Sequence, residues 1–181
     1  MNAATPPPPL VPGDSKDWTW VLEEACPDCG YDPAAIDVMA IPAMVRANAA
    51  SWVAVLARPD VRERPVPDVW SPLEYGCHVR DVFRLFDTRL HLMLDEHDPL
   101  FANWDQDETA IADRYWEQDP AIVADDLVTA GDTVAASFAA VEGDEWQRPG
   151  RRSDGARFTV ESFGRYFVHD WVHHAWDVGA A

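Results

Sequence analysis

The sequence predicts an all-α protein: a four-helix bundle with a long crossover connection, preceded by a short cysteine-containing N-terminal segment. Three observations favour this fold class. Apolar residues recur at helical spacing in four long stretches of the chain. No stretch alternates apolar and polar residues as a half-buried strand does. Long connections separate some of these stretches, and four amphipathic helices bury their apolar faces best against one another.

The first long helix is predicted over residues 40–58. Its apolar residues share one face because they recur at helical spacing. They are Met44, Val45, Trp52, Val55 and Leu56. Pro59 and the proline-rich stretch behind it end this helix, since proline supplies no backbone donor.

The second long helix has the clearest start signal. Ser71 suits the N-cap, Pro72 suits the first helical position, and Glu74 can accept a hydrogen bond from the amide of the cap residue. The apolar stripe behind this start predicts a helix that runs to about Asp95. Its members are Tyr75, Val79, Val82, Phe83, Phe86, Leu90 and Met93.

Two further helices complete the predicted bundle. Asp119 and Pro120 repeat the start in which a cap precedes proline, and Gly143 is expected to close that helix. A short helical piece is predicted before it, within residues 108–118. The last helix is predicted to start near Thr159 and to run to about Val178, behind a basic, glycine-rich loop.

The chain is expected to form one domain. Residues 1–16 are predicted to be a flexible leader, because their prolines favour polyproline II. Residues 17–181 are predicted to form a single helical-bundle domain, with the cysteine-containing segment at 17–39 and the bundle at 40–178. A chain of 181 residues buries roughly 70% of the surface that it exposes when unfolded, which is enough for one core.

The composition is strongly acidic. The chain has 14 Lys and Arg against 32 Asp and Glu, a formal charge of −18, which disfavours nucleic acid and anionic membranes as partners. No run of about 18 apolar residues and no secretory signal are recognised, so we expect a cytoplasmic protein. A small molecule is the expected ligand. The nine Trp side chains are of a kind that fills cores, lines pockets or anchors interfaces, and we expect a homodimer.

Three histidines are candidates for metal binding. His169 and His173 are four residues apart and therefore project from one side of the last helix, and His78 lies at the edge of the second helix's apolar stripe. Three imidazoles with open positions would suit Zn²⁺, Ni²⁺ or Fe²⁺. By spacing alone, such a pair is more often two polar residues on a helix surface than a metal site. The other histidines are interpreted as surface or supporting residues: His91, His97 and His174.

Two stretches carry a resemblance to a known family. Residues 70–90 (WSPLEYGCHVRDVFRLFDTRL) and 165–178 (RYFVHDWVHHAWDV) resemble the DinB-like (DNA-damage-inducible) superfamily, which includes the metal-binding domain of mycothiol-dependent maleylpyruvate isomerase. The resemblance extends over residues 40–178. It implies a four-helix bundle with a long crossover and a metal triad of His78, His169 and His173.

The resemblance also implies an activity. Characterised relatives include S-transferases and isomerases that use mycothiol or a similar low-molecular-weight thiol, and a metal would favour the thiolate that attacks the substrate. A divalent metal and a mycothiol-type thiol are therefore the expected cofactors. The alternative is a noncatalytic metal- or ligand-binding stress-response protein. No general base, and so no catalytic side chain, is identified by spacing.

Four residues are candidates for supporting the metal or lining a pocket. Glu74 precedes His78 by four residues and Asp177 follows His173 by four, so either carboxylate could accept the ring proton of a ligand. Tyr166 and Trp176 lie on the side of the histidine pair, where they would line a pocket or pack in the core.

Two further clusters have open interpretations. Arg151 and Arg152 in the basic loop could bind a carboxylate, or they could be a solvated charge cluster. Cys26 and Cys29 resemble one half of a zinc ribbon whose other half is absent. They could be packed or free thiols, a redox pair, or ligands of a structural zinc completed by His or Asp from elsewhere.

Overall fold

Four long helices form the framework of the computed structural model, which describes residues 8–9, 11–12 and 16–180. The helices, together with the short α3, are α1 (Ile41–Leu56), α2 (Pro72–Asp95), α3 (Gln106–Ala112), α4 (Pro120–Ala139) and α5 (Val160–Asp177). The predicted fold class is therefore confirmed. The leader predicted at residues 1–16 falls largely outside the described residues.

The starts of the long helices follow local capping chemistry. At α2, the Ser71 side chain accepts from the Glu74 amide, and the Glu74 carboxylate accepts from the Ser71 amide at 2.9 Å. At α4, Asp119 accepts from the Ala121 amide. Thr159 caps α5, where that helix was predicted to begin. These side chains satisfy amide donors that the first helical turn leaves unpaired.

Two details differ from the predictions. Helix α4 ends at Ala139 rather than near Gly143. Gly143 is instead the first residue of a short 3-10 helix and has a φ of +50°. The basic loop contains an antiparallel hairpin of β1 (Pro149–Arg151) and β2 (Arg157–Thr159). Each strand has only three residues, which is too short for an alternating pattern to be recognised in sequence.

The helices pack around an aromatic core. The rings of Phe86 on α2 and of Phe163 and Phe167 on α5 stack with centres 4.5 and 4.7 Å apart. Helices α1 and α4 approach closely at Gly131, where an added Cβ would lie 2.9 Å from the Cβ of Ala49. This core fixes the relative positions of α2 and α5, from which most candidate ligands project.

Residues Val38–Leu56, which include α1, are long and apolar enough to cross a membrane by length and composition alone. The sequence analysis did not anticipate such a segment. Core helices of soluble proteins pass the same test. One side of α1 indeed contributes fully buried side chains to the core, among them Ile41, Val45 and Trp52.

The cysteine-containing segment packs against α5. It consists of short 3-10 helices, the first at Trp18–Leu22, joined by turns. Val21, Cys26 and Tyr31 are buried in the main core, and the Tyr31 hydroxyl donates to the carbonyl of Arg165 at 2.7 Å. The segment therefore covers the side of α5 that carries the predicted histidine pair.

Candidate metal centres

Potential metal ligands gather in two groups on neighbouring sides of α5. The first group contains His78, Asp170 and His174, and the second contains Cys26, Cys29, His169 and His173. Within each group, one ligand atom from every residue lies within 4.8 Å of the others. Two adjacent faces of one helix therefore each contribute two side chains at four-residue spacing.

The first group is centred on a buried histidine whose ring nitrogens lack hydrogen-bond partners. His78 is 1% exposed, and neither its Nδ1 nor its Nε2 atom has a hydrogen-bond partner among the described residues. Its Nε2 lies 3.8 Å from Oδ1 of Asp170, which is itself unpaired, and His174 Nε2 lies 3.9 Å from the same oxygen. These distances are too long for hydrogen bonds. They are close to the separation of two ligands of one ion, so the residues fit a divalent metal.

Asp177 orients the third member of this group. Its Oδ2 lies 2.9 Å from Nδ1 of His174, and this pairing assigns the proton to Nδ1. The Nε2 atom of His174 is then left on the side of Asp170 and His78. A carboxylate that accepts the distal ring proton in this way fixes the tautomer and raises the basicity of a metal-ligating imidazole.

Aromatic rings surround the first group. Trp104 stacks on His78 with ring centres 5.6 Å apart, Trp70 tilts against His78 at 5.3 Å, and Tyr75 packs on His174 at 5.1 Å. Burial and the nearby His174 hold the pKa of His78 well below its usual range, so the ring is neutral and its nitrogens can bind a metal. Burial also raises the pKa of Asp170, a shift that a bound cation would oppose.

The second group combines two thiols with two imidazoles. Cys26 Sγ lies 3.7 Å from Nδ1 of His173, while Nε2 of His169 is buried and has no hydrogen-bond partner in the part of the chain that the structure describes. Burial raises the pKa of Cys29 to about 11 and lowers the pKa of His169 to about 4. Both cysteines are free thiols rather than a disulfide. A bound cation would favour the thiolate form of both.

A cleft of about 620 Å³ adjoins both groups. His169, Asp170, His173 and His174 form one wall. The lining also has cationic and acidic members, so the charge of the cleft is mixed. The cations are Lys16, Arg89 and Arg152, and the acids besides Asp170 are Asp17, Asp105, Asp107 and Asp154.

The three predicted metal ligands are divided between the groups. His169 and His173 lie together, as their spacing predicts, whereas His78 lies with Asp170 and His174. The triad of His78, His169 and His173 therefore remains a prediction from the resemblance. Asp170 and His174 were not identified as ligands, although they repeat the four-residue spacing of the histidine pair one position later.

The predicted supporting carboxylates have different positions. Glu74 is buried, forms the α2 cap and pairs with Arg64, so its oxygens are engaged away from His78. Asp177 lies 3.9 Å from Nε2 of His173, as its spacing suggests, but it is closer to His174. One carboxylate thus contacts a histidine of each group.

Of the two aromatic candidates, only Tyr166 lines the cleft, where its hydroxyl accepts a hydrogen bond from Arg152 at 3.0 Å. Trp176 is 45% exposed and packs against the His173 ring. The basic pair is also divided. Arg152 lines the cleft and donates to Asp154 at 2.8 Å, whereas Arg151 is not among the lining residues and pairs with Asp98 at 3.0 Å.

Arg89 is a residue of the cleft that the sequence analysis did not single out. It is 9% exposed, donates to the carbonyl of Ala102 at 3.1 Å, and pairs with no carboxylate in the described part of the chain. Burial and the proximity of Arg152 lower the pKa of Arg89 to about 10. It remains cationic at neutral pH and faces the same cleft as Arg152.

Comparisons with known proteins define the family. Residues 43–178 match the family model of the DinB superfamily, and the chain therefore belongs to that superfamily. A solved structure of YfiT from Bacillus subtilis is similar, with a TM-score of 0.68 and 16% sequence identity over 77% of this chain and 83% of that chain. YfiT is described as a probable metal-dependent hydrolase with an unusual four-helix bundle topology. No curated protein matches this chain.

Proposed function

We propose that the protein is a metal-dependent enzyme whose divalent ion, Zn²⁺, Ni²⁺ or Fe²⁺, is held by His78, Asp170 and His174. The observation that carries this proposal is buried His78: neither of its ring nitrogens has a hydrogen-bond partner among the described residues, and one of them lies within 4.8 Å of a ligand atom of Asp170 and of His174 beside the cleft. A buried imidazole without hydrogen bonds is costly unless something else engages its nitrogens. A three-residue ligand set also leaves coordination positions open, as catalysis requires.

The proposed reaction is attack of a small thiol of the mycothiol type on an electrophile, either as an S-transfer or as an isomerisation. When bound, a divalent ion would lower the pKa of a coordinated thiol, so that the nucleophilic thiolate forms near neutral pH. The side chains of the protein bind the reactants and orient the ligands of the ion. Asp177 holds His174 in the ligating tautomer, and the Trp104 ring shields His78 from water.

Arg89 and Arg152 are proposed to bind an anionic group of the thiol or of the substrate. Both line the cleft, and Arg89 has a guanidinium that no described carboxylate neutralises. Tyr166 lines the cleft beside them, and burial raises the pKa of its hydroxyl, which therefore stays protonated and can donate a hydrogen bond. A guanidinium matches the geometry of a carboxylate better than an ammonium does.

A second candidate function is hydrolysis, with water in place of the thiol. The description of YfiT as a probable metal-dependent hydrolase favours it. The same ligand set and cleft would serve this reaction, because a bound divalent ion acidifies water as well as thiols. The presence or absence of a thiol requirement distinguishes the two reactions.

The test combines metal analysis with activity measurements. The purified protein, a His78→Ala/His174→Ala variant and a His91→Ala control would be analysed for bound metal. They would then be assayed for consumption of a mycothiol-type thiol and for hydrolysis with a panel of electrophiles. His91 is a suitable control, because it lies on the same helix as His78 and is exposed. We expect the double variant to lose one metal and all activity.

The results have definite consequences. Unchanged metal content in the double variant would overturn the proposed centre. Metal-dependent turnover without a thiol would favour hydrolysis. Metal bound by His78 and His174 with no turnover across the panel would favour the noncatalytic binding protein.

A further inference from the structure

We infer that Cys26, Cys29, His169 and His173 form a second, structural zinc site, which fastens the cysteine-containing segment to α5. The site is separate from the proposed catalytic centre and does not depend on the enzyme's reaction. Its four potential ligand atoms lie within 4.8 Å of one another.

The donor set is that of a closed zinc site. Two thiolates and two imidazoles fill the four positions of tetrahedral zinc and leave none for substrate, which is typical of structural rather than catalytic sites. Their spacing, C-x2-C followed by H-x3-H, brings each pair to one side of its own element. Two thiolates also balance the charge of Zn²⁺, so the occupied site would be neutral and tolerate burial.

The distances fit one ion. Bond lengths of about 2.3 Å to sulfur and about 2.0 Å to nitrogen place tetrahedral ligands about 3.5 Å apart. Cys26 Sγ and His173 Nδ1 are separated by 3.7 Å. Nε2 of His169 is buried without a hydrogen-bond partner, and this histidine is only 4% exposed. The imidazole that faces the thiols thus carries a nitrogen that a metal would satisfy.

Local structure prepares the cysteine turn for binding. The Gly30 amide donates to the Cys26 carbonyl at 3.0 Å, and the Cys26 amide donates to the Tyr31 carbonyl at 2.8 Å. Gly30 has a φ of +73°, a conformation that glycine adopts without strain. These bonds close the turn so that both thiols face α5. The turn is therefore formed by the backbone, before any contribution from a metal.

Aromatic packing holds the two imidazoles. The Trp18 ring lies 5.3 Å from that of His169 and 5.2 Å from that of His173. The Tyr31 ring meets His169 edge-on at 5.3 Å. Asp177 lies 3.9 Å from Nε2 of His173, the nitrogen opposite the one that faces Cys26. Each imidazole is thus held in the orientation that ligation requires.

The site explains why the cysteine segment forms part of the cleft. Asp17 and Trp18 line the cleft and belong to the segment that the zinc would hold against α5, and Lys16, just before the segment, lines the cleft as well. The two histidines that the resemblance assigns to a metal triad with His78 would then be structural ligands. Zinc loss would loosen this wall without removing the metal held by His78.

The experiment counts and distinguishes two metals in the full-length chain. We expect two metal ions per chain in the wild type. A Cys26→Ser/Cys29→Ser variant should retain one, and so should the His78→Ala/His174→Ala variant. After replacement by Co²⁺, sulfur-to-cobalt charge-transfer absorption should appear in the wild type and in the histidine variant and be absent from the cysteine variant. Cys77→Ala serves as the control, because this buried thiol lies outside both groups.

Several outcomes would overturn the zinc site. These are two metals in the cysteine variant, Co²⁺ spectra without thiolate absorption, or a Cys26–Cys29 disulfide in the freshly purified protein. If the cysteine variant does not fold, the wild type still decides, because mercurial modification of its thiols should release one zinc per chain. Release of none would contradict the site. Failure of the proposed catalytic centre would give a different result: only the cysteine variant would lose metal, and the His78→Ala/His174→Ala variant would bind as much metal as the wild type.

Discussion

At the scale of single residues, Asp177 has the widest influence because it lies between the two proposed centres. One of its oxygens is 2.9 Å from Nδ1 of His174, and the other is 3.9 Å from Nε2 of His173. Each contact is to the ring nitrogen opposite the proposed ligating atom. The carboxylate is therefore hydrogen-bonded to the imidazole of one group and lies within electrostatic range of an imidazole of the other.

We predict that Asp177→Asn weakens metal binding mainly at the centre of His78, Asp170 and His174, and less at the cysteine-containing centre, because only His174 is hydrogen-bonded to Asp177. Carboxylates that support ligating histidines typically contribute about 10- to 100-fold in affinity, because they fix the tautomer and raise the ring's basicity. Competition with a chromogenic chelator would measure both affinities. Asp132→Asn is the matched control, since Asp132 is an exposed carboxylate paired with Arg46. Equal affinities in the two variants would contradict the role given to Asp177.

The two neighbouring arginines allow a second test at this scale. Each is paired with an aspartate, Arg152 with Asp154 and Arg151 with Asp98, but only Arg152 lines the cleft. We predict that Arg152→Ala raises the KM or Kd for anionic ligands about tenfold, close to the loss of one charge-assisted hydrogen bond. Arg151→Ala should leave these constants unchanged. Titrations with an anionic ligand and its neutral amide would check this, and equal weakening of both ligands by Arg152→Ala would be the contrary result.

At the scale of elements, the close contact of α1 and α4 depends on Gly131. A Cβ there would lie 2.9 Å from Ala49 Cβ and 3.2 Å from the Phe83 ring. The position of the Ala49 Cβ is fixed by the backbone of α1, so no side-chain rotation can move it away. We predict that Gly131→Ala lowers the free energy of unfolding by about 1 kcal/mol, because overpacking outweighs the gain in helix propensity.

Urea denaturation of Gly131→Ala, Ala49→Gly and the double variant would check this prediction. If the two positions clash, the double variant should be more stable than the sum of the single changes allows. Additive effects would show that the clash does not limit stability.

The elements also show how much the sequence could predict. The starts of α2 and α4 were predictable because a cap and the amides that it satisfies lie within four residues of one another. The hairpin and the pairing of Glu74 with Arg64 depend on more distant contacts. The ligand groups are the extreme case, since Cys26 and His173 are 147 positions apart. The spacing within C-x2-C and within H-x3-H can be recognised in the sequence. Which of these residues share one metal depends on how α2, α5 and the cysteine segment pack.

At the scale of the whole molecule, the charge of −18 acquires a more specific meaning. The cleft is not uniformly acidic, because Arg89 and Arg152 lie on its wall among five aspartates. Small anions can therefore be bound locally, while polyanions are repelled by the molecule as a whole. The same overall charge raises the local concentration of divalent cations around both proposed centres.

The two metals should also divide the molecule into parts of different stability. Residues 16–40 pack on α5 through few elements of regular structure, whereas the aromatic core joins the long helices directly. We predict that loss of the zinc held by Cys26 and Cys29 increases hydrogen exchange in residues 16–40 at least tenfold and leaves the core of α2 and α4 protected. The reason is that segments with few buried contacts open locally, below the free energy of global unfolding. Hydrogen-exchange mass spectrometry of the wild type and of Cys26→Ser/Cys29→Ser would measure this. The His78→Ala/His174→Ala variant should show no such change at residues 16–40. A uniform increase of hydrogen exchange along the whole chain would contradict a zinc site that stabilises only this segment.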